Sequence, residues 1–144
     1  MNSYVKLGVL MLMLALKGFT SGQEPKADDL PAVTTAVAPN YFPTALHSHA
    51  SGEVVVAVKI ASDGSVTSSE AISGSAVLAA GSMQVARRWK FATMKDKNQI
   101  RSARLTFVYR LVPRDTPSDQ LLPIFKPPYR VEITHVLPDE TPLP

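Results

Sequence analysis

Residues 53–60, Glu-Val-Val-Val-Ala-Val-Lys-Ile, constrain this chain more than any other segment. Val54, Val56, Val58 and Ile60 fall on one face and Val55, Ala57 and Lys59 on the other, so composition and period both predict a strand. The run ends at Ser62-Asp63-Gly64-Ser65, where Asp-Gly supplies the positive-φ positions of a tight hairpin. Residues 66–72 then return antiparallel. Gly74 breaks that strand, and Ser75 is placed to cap a helix, its hydroxyl accepting a first-turn amide. In residues 76–89, Leu78, Ser82, Val85 and Trp89 recur at i, i+4, i+7 and i+11, with Met83 and Ala86 widening the stripe. Arg87 and Arg88 close the last turn, where positive charge suits the helix dipole. After the polar loop Lys95-Asp96-Lys97-Asn98, Ala103, Leu105, Phe107, Tyr109 and Leu111 alternate with Arg104, Thr106, Val108 and Arg110. The expected class is α+β: a small three-stranded antiparallel sheet with one main helix packed on it.

The flanks define the remaining organisation. A chain of 144 residues supports one domain. Residues 1–6 carry one lysine, residues 7–16 are an unbroken apolar run, and residues 17–22 end in small side chains, the three-part layout of a signal peptide cleaved near Gly22. A retained short anchor is the alternative, but ten apolar residues rise only about 15 Å as a helix. Residues 23–40 read as a linker, residues 41–112 as the domain, and residues 113–144, with eight of the twelve prolines, as a Pro-rich tail. Within the tail Tyr129, Val131, Ile133, His135 and Leu137 alternate on one side. Two readings stay open there: a surface-draped tail, or an extra strand on the same edge a partner would use.

Charge and missing chemistry narrow the function. The formal net charge is +3, and removing Lys6 and Lys17 with the leader leaves +1. That small value conceals nine basic residues against Asp96 in residues 87–114. Export and core-facing aromatics argue against nucleic acid. With no cysteine, a disulfide framework, a thiolate zinc site and a cysteine-borne lipid anchor are excluded. His47, His49 and His135 are too few for a metal site. No Gly-rich phosphate loop, nucleophile elbow or acid/base pair is present, so neither an enzyme nor a cofactor is expected.

Tyr41-Phe42-Pro43, Gly52-Glu53-Val54, Asp63-Gly64-Ser65 and Arg87-Arg88-Trp89-Lys90-Phe91, in that order and spacing, resemble the TonB C-terminal domain family. The resemblance covers about half the chain, with Tyr41, Pro43, Gly52, Asp63, Gly64, Trp89 and Phe91 as its motif positions. Ala92-Thr93-Met94 and Lys97-Asn98 stand where the family usually has a Pro and a Gly. A complete TonB also has a histidine-bearing anchor and a long spacer; here about 18 residues precede the domain, a reach of roughly 60 Å, so the expectation is the binding module without the force-transmitting parts. The resemblance implies that the strand after the helix is a sheet edge, which pairs with an extended peptide at an outer-membrane receptor. Arg101, Arg104, Thr106, Val108 and Arg110 would then be the partner-facing residues. The three arginines also suit edge protection. A periplasmic protein with a protein partner is therefore expected. The alternative is a structural or assembly protein of the envelope that self-associates, for example as a homodimer, through the same edge.

Overall fold

The computed structural model describes residues 30–140, so the signal-peptide or anchor expectation lies outside the described residues. Among the described residues no helix is long and apolar enough to cross a membrane. In chain order the elements are β1 (Val33–Thr35), α1 (Pro43–His47), β2 (Gly52–Ile60), β3 (Val66–Ser73), α2 (Ala76–Ala86), β4 (Lys90–Phe91), β5 (Arg101–Val112), a 3-10 turn (Ser118–Leu121), β6 (Ile124–Lys126) and β7 (Arg130–Val136).

The expected β2, β3, α2 and β5 form, but the sheet they build has five strands rather than three. Its order is β3-β2-β5-β7-β6. β2 pairs antiparallel with β3 and β5, which leaves β5 central and not at an edge. Beyond it the tail supplies β7, parallel to β5, and β6, antiparallel to β7. The tail is thus a strand-forming segment and not a surface-draped one. A parallel neighbour needs a crossover connection, and residues 113–129 provide it through the 3-10 turn and β6.

One face of the sheet is dry. Val54, Val56, Val58 and Ile60 of β2, Leu105, Phe107 and Tyr109 of β5, and Val131 and Ile133 of β7 are buried there. Helix α2 lies over this face with Leu78, Ser82, Val85 and Ala86 buried. The other face carries Lys59, Arg104, Thr106 and Arg110 toward solvent, as an antiparallel meander allows. Ser75 occupies the N-cap position as expected, but its hydroxyl makes no cap bond; its carbonyl accepts Leu78 N–H and Ala79 N–H instead. The helix ends at Ala86 with Arg87 as C-cap, so Trp89 hangs from the following turn.

The motif positions meet at the base of this core. Gly64 has φ +89°, and a Cβ there would sit 1.9 Å from the Phe91 carbonyl oxygen. The hairpin turn and the Trp-x-Phe box are therefore in direct contact, and Phe91 N–H donates to Gly64 O at 2.8 Å. Asp63 completes the turn, its Oδ1 accepting from Ser65 N–H at 2.9 Å. Trp89 is 1% exposed, stands edge-on to Phe107 and donates from Nε1 to the Val37 carbonyl at 2.9 Å.

That last bond corrects the linker expectation for residues 31–40. Val33–Thr35 pairs with Lys90–Phe91 as a second, two-stranded sheet, and Pro31 O accepts the Tyr129 hydroxyl at 2.6 Å. The segment has no periodicity because its order comes from side chains reaching it from elsewhere, not from a hydrophobic face of its own. At the opposite end Tyr41 is buried, donates to Ala50 O and packs edge-on against Tyr109 at 5.4 Å. Pro43 opens α1, and the Phe42 ring lies on α2 where only Gly81 leaves room. Gly52, at positive φ, opens β2.

Candidate partner-binding edge

The five residues expected at a binding edge divide into two groups. Thr106, Val108 and Arg110 lie opposite Arg130, Glu132 and Thr134 of β7, so their outward backbone groups are already paired. Thr106 N–H, for example, donates to Tyr129 O at 2.9 Å. Arg101 and Arg104 precede the covered stretch. Arg101 is half-buried and its guanidinium reaches the Ala92 and Ala61 carbonyls, which makes it a clamp between β5 and the loop after β4. Arg104 is exposed, with no ion pair among the described residues.

The tail is held on two sides of the sheet by different physics. On the helix side Tyr129, Val131 and Ile133 are buried, and Tyr129 packs against Phe91 with ring centroids 6.1 Å apart. Burying side chains of this size stabilises by about 1.5–3 kcal/mol each. On the solvent side Glu132 is the centre of an ion network. Its Oε1 lies 2.9 Å from Lys126 Nζ, 3.4 Å from Arg110 Nη2 and 3.7 Å from Arg130 Nε. Arg130 in turn reaches Glu53 at 3.4 Å. Four strands, β2, β5, β7 and β6, are joined by five side chains. The Lys126 hydrogen bond, with Arg110 and Arg130 behind it, holds the Glu132 carboxyl below its ordinary range despite partial desolvation.

Glu132, Lys126 and Arg130 escape a reading of the sequence for chemistry because each looks like the polar member of an alternating strand. A buried polar pair escapes it for the same reason. Ser82 Oγ donates to Leu78 O at 2.8 Å and shares a hydrogen bond with Tyr109 Oη at 2.7 Å. Burial pushes the Tyr109 phenol up to about 12.

Among the described residues no three His, Cys, Asp or Glu side chains come together as metal ligands. His135 Nδ1 lies 2.7 Å from the Val136 carbonyl, and its ring packs on Tyr41. A surface depression lined by His49, Pro113, Arg114 and Leu137 has its cation paired, Arg114 lying 2.8 Å from Asp139.

What remains is a small α+β domain in which the tail strand β7 covers the side of β5 that faces away from β2. Residues 37–111 match the family model of the Gram-negative bacterial TonB protein C-terminal domain, more than half of the chain, and the protein belongs to that family. Domains of this family are non-catalytic protein-interaction domains that act in the periplasm and bind proteins such as outer-membrane receptors. None of the curated proteins compared with the chain matches it. The match stops at Leu111, before the whole of the tail with β6 and β7.

Proposed function

We propose that this protein is an exported strand-addition module whose binding edge, β5, is filled by its own tail, and that it acts in the periplasm by exchanging β7 for an extended segment of an outer-membrane or periplasmic partner. Its place would be in TonB-dependent transmembrane transport. The supporting observation is the parallel ladder of β7 on β5 from Thr106 to Val112, on the strand that the family resemblance implies for partners. In strand addition main-chain hydrogen bonds supply affinity and alternate side chains supply selectivity; β7 has both, with Val131 and Ile133 as its anchors.

Truncation after Val112 tests the exchange. Peptides derived from receptor plugs should bind the truncated chain at least tenfold tighter than the full chain, with folding of both monitored by Trp89 fluorescence. Equal affinity in a folded truncation rejects the exchange. A pull-down from envelope extracts separates uptake from other roles: outer-membrane barrels should be recovered, and lost on Val108→Pro, which removes a ladder donor on the β7 side. Folding of that variant is checked by the same fluorescence.

A second reading, envelope assembly by self-association, is favoured by the exposed apolar side chains of Leu122, Ile124 and Phe125 at the outer strand β6. Unpaired strand edges with such side chains invite pairing between copies. Concentration-dependent dimers in sedimentation, lost on Phe125→Lys, would favour it over partner exchange.

A further inference from the structure

The tail records which charges an edge partner must carry. In the parallel register Arg130 stands opposite Thr106, Val131 opposite Phe107, Glu132 opposite Val108 and Ile133 opposite Tyr109. Val131 and Ile133 turn into the core, whereas Arg130 and Glu132 stay on the solvent face. There Arg130 meets Glu53 at 3.4 Å and Glu132 meets Arg110 at 3.4 Å. Glu53 belongs to β2 and Arg110 to β5, so both remain when the tail leaves. Lys126 and Arg130 leave with it. The vacated edge then presents an acid first and a base further along, in a fixed order. Between them lies Val108, buried although it is on the solvent face, with Glu53 and Glu132 as its cross-strand neighbours.

We infer that the edge selects an extended protein segment running parallel to β5, with apolar residues at alternate positions and, between them, a basic residue followed two positions later by an acidic one. This rests on strand exchange at β5. A segment with the two charges reversed places an acid beside Glu53 and a base beside Arg110, and like charges at such positions are unfavourable. A segment of the right composition bound antiparallel meets the same penalty, so the charge order also fixes direction. The selectivity lies on the solvent face, leaving the apolar anchors free to vary.

The test uses the full chain carrying Glu132→Lys, which unseats the tail by placing a fourth cation among Arg110, Lys126 and Arg130. Two labelled peptides of identical composition, Tyr-Arg-Val-Glu-Ile-Thr and Tyr-Glu-Val-Arg-Ile-Thr, are titrated by fluorescence anisotropy. The first should bind more tightly, by about two- to fivefold for each charge pair gained. Adding Glu53→Lys and Arg110→Glu should reverse the order. Equal binding of the two peptides, or an order unchanged by the reversal, overturns the charge selection while leaving strand exchange intact. If neither peptide binds although the β7 amides exchange rapidly with solvent, strand exchange fails, and charge selection with it. Glu53→Lys alone alters a half-exposed side chain and supplies the independent variant: it should abolish the contribution of the basic position and leave that of the acidic one.

Discussion

The family-matched body and the tail are two ways of holding a strand in one sheet. In the body β2 and β5 are locked by a dry aromatic core, with Trp89, Phe91 and Phe107 in contact and Gly64 pressed against the Phe91 backbone. In the tail β7 contributes few core side chains, and the solvent side depends on one carboxylate shared by three cations. The first arrangement cannot be loosened piecemeal, because each aromatic is packed by others. The second is an outer part of the sheet joined by a long connection, and the proposed exchange requires it to open locally. Local opening of such units with free energies below that of global unfolding is a general property of proteins. The comparison therefore teaches that one strand, β5, is held on its two sides by different physics, a dry core toward β2 and an ion network with a few apolar anchors toward β7, which is the asymmetry that the proposed exchange requires.

Truncating the centre of the body should have the largest effect. Trp89→Ala removes the largest fully buried side chain and the Val37 bond, and should cost about 3–5 kcal/mol, read as a loss of the whole cooperative transition in urea. Ile133→Ala in β7 should cost about 2–4 kcal/mol, but in a different place. Hydrogen exchange of the β7 amides and their β5 partners should accelerate, while the β2–β3 ladder stays protected. If Ile133→Ala instead lowers protection of every strand equally, the tail is as integral as the body and the contrast is broken.

How far this was legible from the residues follows the same division. The valine alternation in residues 53–60, the Asp-Gly turn, the helical stripe from Leu78 to Val85 and the alternation of β5 are local patterns, and each became the element it predicts. The tail alternation from Tyr129 to His135 is equally visible and offers, as one of two readings, an extra strand on the β5 edge, which β7 takes; its parallel direction is not visible, because such a pairing across a connection of this length leaves no local trace. β1, β4 and β6, of two or three residues each, are too short to show a period. The central position of β5, against the expected edge, has a related reason: a strand is at an edge only if nothing else pairs with it, and that depends on residues far away. Glu132 was invisible as a site since its three cations come from β5, β6 and β7. Gly81 looks costly in mid-helix until the Phe42 ring is seen lying on it.

Two smaller effects sharpen the contrast through pH. Tyr109 sits in the body, and burial raises its phenol from 10.0 to about 12. A group held protonated in the folded state contributes stability that is fully present below pH 10 and is lost as pH rises through about 12. Unfolding free energies from denaturant titrations should thus be flat to about pH 9 and fall by about 2 kcal/mol between pH 10 and 12, for the whole domain together. Tyr109→Phe should flatten that limb at the expense of the Ser82–Tyr109 hydrogen bond, Ser82 keeping its bond to Leu78 O.

Glu132 carries the opposite sign and the smallest energy. Its carboxyl is held below 4.5 by Lys126 first and the two arginines after, so the stability it contributes is complete above that value and is lost as pH falls through the depressed one. Because all three cations are substantially exposed, the ion network is screened, and Glu132→Gln should cost about 1 kcal/mol or less. The loss should appear only as faster exchange of the β7 amides, with no change in the urea midpoint of the body. Raising salt from 0.1 to 1 M, which shortens the Debye length from about 10 to 3 Å, should reproduce most of that acceleration in the unsubstituted chain and little in the Gln variant. An equal response of both chains to salt would mean that the apolar anchors alone hold the tail, and that Glu132 has no part in closing the edge.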